Sequence, residues 1–193
     1  MYYGLSQMAG MKDPVCKEGY EAPVKSIGNS TTTPRDLEND LDVWIIQIAL
    51  AESVAARLRK HGFKCKTVEI TVRDNGLYSF SRQIHLRQPT NITNEIVTAA
   101  FQLFKDNYKW EYPIRSLGIR AADLVLDDIP VQLDLFGNQE KKEKLEKLDR
   151  TVDEIRRRFG YFSIQRAAMY QDKVLSHLDA GTHTIHPHSY FHG

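Results

Sequence analysis

Residues 64–73 alternate around Val68, Ile70 and Val72, and residues 78–87 alternate around Phe80, Ile84 and Leu86. Between the two runs stands Asp74-Asn75-Gly76. A period of two marks a half-buried strand, and Asn-Gly between two such runs is the strongest short hairpin signal. A sheet of this kind packs one face on other elements and turns the other to solvent or a ligand. The flanking sequence provides the cover. Leu37, Leu41, Trp44, Ile45, Ile48, Val54, Ala55 and Leu58 form a helical stripe ending near Gly62. Its predicted start is Thr33 as cap, Pro34 in the first turn and Asp36 at the positive dipole end. Asn91 or Thr93 is the predicted cap of a second helix striped by Ile96, Ala99, Ala100, Leu103 and Phe104. Strands at residues 24–32 and 114–119 complete the order βαββαβ. The expected fold is α+β, a four-stranded sheet with two helices on one face.

Beyond this unit, residues 138–158 read as a charged helix with Leu145, Leu148, Val152, Ile155 and Phe159 spaced by threes and fours. That stripe is too short for a coiled coil alone and is expected to pack on the domain. Docking of another protein is the other reading. His183, His186, His188 and His192 lie in a polar tail that lacks the support a metal site needs.

The 193 residues carry 26 Lys plus Arg against 25 Asp plus Glu, a formal charge of +1. Taken alone, that sum argues against a nucleic-acid partner, but the charges are segregated. Between residues 57 and 87 stand Arg57, Arg59, Lys60, Lys64, Lys66, Arg73, Arg82 and Arg87 against only Glu69 and Asp74. Asp36, Glu38, Asp40, Asp42 and Glu52 precede this segment, and Asp123, Asp127, Asp128 and Asp134 follow it. No run approaches the roughly 20 apolar residues that a membrane helix needs. Two cysteines, Cys16 and Cys65, are too few for a disulfide scaffold and point to the cytoplasm.

Turning the apolar register inward fixes the outward residues of the sheet. These are Ser26, Gly28, Ser30 and Thr32; Thr67, Glu69, Thr71 and Arg73; Ser79, Ser81, Gln83, His85 and Arg87; and Ser116, Gly118 and Arg120. Small hydroxyl residues and glycines let a phosphate chain come close, and hydroxyls, Arg and His offer it donors. Arg82 falls in the apolar row, which implies a bulge or an edge position. An RNA-recognition module is an alternative with the same element order, but Tyr78 and Phe80 share the inward register of Ile84 and Leu86. Further on, Gln132-Leu133-Asp134-Leu135-Phe136 places Leu135 and Phe136 on an expected extended segment, an arrangement suited to a partner's pocket.

Gln132-Leu133-Asp134-Leu135-Phe136 resembles the pentapeptide by which bacterial replication proteins bind the sliding clamp. Val24-Lys25-Ser26-Ile27-Gly28-Asn29-Ser30-Thr31-Thr32 resembles the opening of the little-finger domain of Y-family translesion DNA polymerases. Arg115-Ser116-Leu117-Gly118-Ile119-Arg120 is similar to its last strand. Ile155-Arg156-Arg157-Arg158-Phe159-Gly160, with Ser163-Ile164-Gln165-Arg166-Ala167, resembles the ending of the Gram-positive, UmuC-like branch of the ImpB/MucB/SamB group.

The resemblance implies the end of a thumb and linker over residues 1–22 and a little finger over 23–126. It implies a clamp-binding linker over 127–137, a helical extension over 138–170 and a flexible tail over 171–193. It also implies an SOS-type role in DNA repair, gripping primer-template duplex and tethering to the clamp. The residues expected at DNA are Lys25, Ser26, Gly28, Asn29, Ser30, Lys66, Arg73, Ser79, Ser81, Arg82, Gln83, His85 and Arg120. Those expected at the clamp are Gln132, Leu133, Asp134, Leu135 and Phe136. Nucleotidyl transfer would belong to a palm holding two magnesium ions, whose Ser-x-Asp-Glu signature this sequence lacks. The chain is therefore expected to be a non-catalytic part of a polymerase, without a cofactor of its own. The alternative from another class is a stand-alone clamp-associated adaptor.

Overall fold

The computed structural model of the chain describes residues 24–128 and 139–178. Its first six elements are β1 (Ser26–Leu37), α1 (Asp40–Lys60), β2 (Phe63–Asp74), β3 (Ser79–Thr90), α2 (Thr93–Asn107) and β4 (Ile114–Leu126). They form an α+β domain whose sheet runs β1-β4-β2-β3, every neighbouring pair antiparallel. Ile45, Leu50 and Leu58 from α1 and Ile96 and Phe104 from α2 are fully buried with Ile70, Leu117 and Ile119 of the sheet. The period-two and helical stripes thus meet in one core, as their spacing requires.

The helix start is a correction. Residues 33–37 continue β1 past a register shift between Thr32 and Leu37, and the Thr33 hydroxyl donates to the Arg115 carbonyl at 3.0 Å. Pro34 is tolerated there because β1 is an edge strand. Helix α1 begins at Asp40, where the Asn39 side chain accepts from the Asp42 amide at 3.0 Å. Leu37 is a buried strand residue, and Leu41 is largely exposed. The far end of the helix agrees with expectation, because Gly62 takes φ +68° just beyond His61. At the hairpin, the Asp74 amide donates to the Tyr78 carbonyl, leaving Asn75, Gly76 and Leu77 as the loop. Leu77, not Gly76, occupies the left-handed region, at φ 72°.

The remaining elements are α3 (Gln139–Phe159), the 3₁₀ turns Tyr161–Ser163 and Ala167–Gln171, and the short α4 (Lys173–Ser176). Helix α3 contributes one buried residue, and that residue is Asp149 rather than a member of its apolar stripe. Asp149 Oδ2 accepts from the Thr93 amide at 2.7 Å and from Arg59 at 3.2 Å; Oδ1 accepts from Arg166 at 3.3 Å. Helix α2 is therefore capped from α3, not by the side chain of Asn91 or Thr93. Arg59 also binds Asp153 at 2.6 Å. Buried Glu52 receives Arg156 at 2.9 Å and Arg166 at 3.0 Å. Arg35 grips both Asp42 and Asp172 at 2.7 Å, and this pairing holds the Asp172 carboxyl below its ordinary range. Met169, Leu175 and Leu178 are core residues, so the expected flexible tail does not begin at residue 171.

Asp149→Ala removes one carboxylate from two guanidinium groups and an amide at once. Loss of one partner of a buried pair costs about 3–5 kcal/mol. Chemical denaturation of the variant is expected to show a loss of that order. A loss below 1 kcal/mol would mean that α3 is attached by other contacts.

Candidate nucleic-acid interface

Strand register builds the face opposite the helices as a lattice four residues deep on four strands. Crossing from β1 through β4 and β2 to β3, the first row is Thr32, Ser116, Arg73 and Ser79. The second is Ser30, Gly118, Thr71 and Ser81. The third is Gly28, Arg120, Glu69 and Gln83, and the fourth is Ser26, Ala122, Thr67 and His85. Eleven of these sixteen positions are Ser, Thr, Gly or Ala flanking the charged pairings, and none is aromatic. The floor is held low by glycine where strands crowd. A Cβ at Gly118 would lie 3.1 Å from Ser30 Cβ, and one at Gly28 would lie 3.2 Å from the Arg120 stem.

Charge on this face is sparse. Arg120 turns along the lattice to Glu69, with Nε 3.0 Å from Oε2, so that arginine is already paired. Arg73 is exposed and makes no side-chain ion pair among the described residues. His85 is exposed on the edge strand, its Nδ1 3.1 Å from the Thr67 hydroxyl. Ser81 and Thr71 exchange a hydroxyl contact at 3.2 Å, and Ser116 donates to the Thr31 carbonyl at 2.9 Å. Lys25 is exposed at the start of β1, and Lys66 is half-buried on β2.

The structure parts two predicted residues from the face. Asn29 pairs across β4 with Ile119, on the helical side, where it is buried and donates to Ser53 at 3.1 Å. Strand alternation requires this, because its neighbours Gly28 and Ser30 face outward. Arg82 sits opposite Ile70, also on the helical side; the edge position of β3 lets it reach solvent without a bulge. Its guanidinium lies 5.4 Å over the Phe80 ring and donates to Asn107 at 3.2 Å.

The basic segment is likewise not one surface. Arg57 donates to the Gly28 carbonyl at 2.6 Å, and burial lowers the affinity of its guanidinium for a proton. Arg59 is in the Asp149 network, and Lys64 binds Asp127 at 2.7 Å. Sequence spacing along a strand distinguishes the two faces, but spacing along the chain does not tell which cations are already paired. Nothing in the linear pattern marks Asp123 as part of the lattice either, because by alternation it belongs to the opposite side. Its φ of 52° brings its carboxylate to the Thr67 hydroxyl.

Residues 24–135 match the impB/mucB/samB family C-terminal domain. The chain belongs to the impB/mucB/samB family. It is 45% identical over 165 residues to a DNA polymerase IV of Acetivibrio thermocellus, covering 86% of this chain and 41% of that protein. It is 36% identical over 148 residues to DNA polymerase IV 2 of Bacillus subtilis, covering 75% of this chain and 35% of that protein. The chain thus spans about two fifths of the length of these curated relatives. Among solved structures it is similar to a complex of the beta-clamp processivity factor and the little finger domain of PolIV. That likeness has a TM-score of 0.45 at 15% identity and covers 58% of this chain and 99% of the other.

In this family domain, Phe80 lies on the helical side, stacked on Tyr108 at 6.2 Å between centroids. The RNA-recognition alternative therefore lacks an aromatic platform on the open face. Gln132, Leu133, Asp134, Leu135 and Phe136 lie outside the described residues, as do residues 1–23 and the tail histidines. Among the described residues, no three His, Cys, Asp or Glu side chains converge as a metal site. No described helix is long and apolar enough to cross a membrane. Cys65 is buried, which pushes its thiol up to about 12 and leaves it a core residue.

Gly118→Val would press a branched side chain between Ser30 and Thr71, where even one carbon meets contacts of 3.1 and 3.6 Å. Overpacking of this kind costs about 1–3 kcal/mol. A thermal melt is expected to show a lower midpoint with unchanged far-UV signal; an unchanged midpoint would mean that the face is looser than its register implies.

Proposed function

We propose that this chain works as the DNA-gripping and clamp-tethering part of an error-prone translesion polymerase. The observation that carries the reading is the open sheet face: low, rich in hydroxyls, free of aromatic residues, and carrying Arg73, Arg120 and His85. Such a surface meets a phosphate backbone without reading bases, which suits a polymerase that must tolerate damaged templates. The family and its DNA polymerase IV relatives support the same reading. Lys25, Ser26, Gly28, Ser30, Lys66, Arg73, Ser79, Ser81, Gln83, His85 and Arg120 remain the proposed DNA-facing set; Asn29 and Arg82 are withdrawn from it. Gln132 to Phe136 are the proposed clamp ligand, raising the polymerase's effective concentration at a stalled site. The catalytic palm and its metals are proposed to belong to the rest of the polymerase.

Each phosphate contact contributes about 0.9 to the slope of log affinity against log salt. Arg73→Ala is therefore expected to flatten the slope for primed duplex by about one contact, whereas Arg82→Ala leaves it as it was. Equal slopes in native protein and Arg73→Ala would sink the assigned face. Separately, Leu135→Ala with Phe136→Ala is expected to abolish binding to a bacterial sliding clamp and to leave duplex affinity intact. Clamp affinity that survives this change would rule the peptide out as the tether.

A further inference from the structure

Three side chains at one end of the lattice form a chain of hydrogen bonds whose direction is fixed by proton counting. Thr67 is buried at 4% exposure, and its hydroxyl donates to Asp123 Oδ2. A hydroxyl has one proton, and a carboxylate only accepts, so that proton is committed. The same Thr67 oxygen lies 3.1 Å from His85 Nδ1. Its lone pairs then require His85 Nδ1 to be the donor. The second ring nitrogen, Nε2, is left to the open face, unprotonated when the imidazole is neutral. Asp123 holds a left-handed φ of 52° to complete this arrangement, a backbone cost that recurs where a site is built.

Resting on the reading of this face as a duplex grip, we propose that Thr67 and Asp123 position His85 as a proton-linked phosphate contact. A phosphate oxygen offers lone pairs, and so does neutral Nε2; contact requires Nε2 to take up a proton from solvent. The imidazolium then donates Nδ1–H inward to Thr67 and Nε2–H outward to the phosphate. By register, Glu69 on β2 and Arg120 on β4 form the neighbouring row of the lattice. Asp123 on β4 reaches Thr67 through its hydroxyl. In the sequence, Lys66 stands beside Thr67 and Arg87 stands two residues from His85. Glu69 is occupied by Arg120, so Asp123, acting through Thr67, is the carboxylate aligned with the ring. Thr67 is a positioning residue here, and His85 is the one that meets the ligand.

The full chain tests both halves. In the free protein, nitrogen NMR of the histidine rings above pH 8, assigned with His85→Gln, is expected to show His85 as the Nδ1–H form. Thr67→Val should return it to the Nε2–H form that predominates in water, and Thr67→Ser should keep it. An Nε2–H ring in native protein, or a ring unmoved by Thr67→Val, overturns the positioning role. With primed duplex DNA at constant salt, affinity is expected to fall by up to about tenfold per pH unit as pH rises from 6 to 8, the limit for one linked proton. His85→Gln should remove that dependence. A slope shared by native protein and His85→Gln overturns the phosphate contact while the duplex grip stands. Absence of duplex binding even at pH 6 overturns both the contact and the function proposed for the face, and the NMR result on the tautomer is unaffected.

Discussion

The buried carboxylate of Asp149 is the contact on which the arrangement of helices depends. It caps α2 through the Thr93 amide, meets Arg59 of α1, and meets Arg166 of the segment beyond α3. Three separate parts of the chain thus converge on two oxygen atoms carried by a fourth. Burying such charges is expensive, and an apolar replacement of the same shape would often be as stable. What a charged network adds is direction: Arg59 is satisfied by Asp149 and Asp153 together only if α3 lies along α1 in one register. Leu148 and Phe159 of the apolar stripe stay largely exposed, so the stripe does not fix that register. Glu52 extends the same logic by holding Arg156 and Arg166 from either side of the Tyr161–Ser163 turn.

This explains which parts of the fold were legible in the sequence. The βαββαβ order and the side that each strand residue takes follow from period and turn chemistry, which are local, although Tyr78 and Ile84, read as inward, are exposed at the edge strand. The start of α1 was misplaced because Thr33-Pro34-Arg35-Asp36 satisfies every local rule for a helix entry. Pairing with β4 overrode it: the Thr33 hydroxyl donates to the Arg115 carbonyl instead of accepting as a cap. Likewise, no cap for α2 exists near Thr93 in the sequence, because its acceptor is supplied from 56 residues away. Long-range polar contacts carry no periodicity, and a linear pattern does not disclose them.

The candidate face divides along the same line. Its hydroxyls and glycines follow from alternation alone. Its charges do not, because a cation's availability depends on what is folded against it. Arg57, Arg59 and Lys64 made the segment look basic, yet they face a carbonyl, the Asp149 network and Asp127. The acidic stretches that seemed to balance the chain at a distance are in part their direct partners.

The consequence is a face with few free cations, and that bears on how the proposed functions fit together. A duplex grip built from hydroxyls, amides and one unpaired lattice arginine gains little affinity from counterion release, since that term scales with the cations engaged. Weak, sequence-blind contact lets a polymerase leave the template readily, but it gives no means of staying near a lesion. A tether supplies this separately, because effective concentration multiplies whatever local affinity exists. The residues that bracket the proposed clamp ligand are anchored to the domain, Asp127 by Lys64 at 2.7 Å and Lys142 by Gln88 at 2.7 Å. Placing the ligand between two such anchors keeps the effective concentration high, and Lys64, removed from the DNA-facing charge, is one of the cations that makes the anchor.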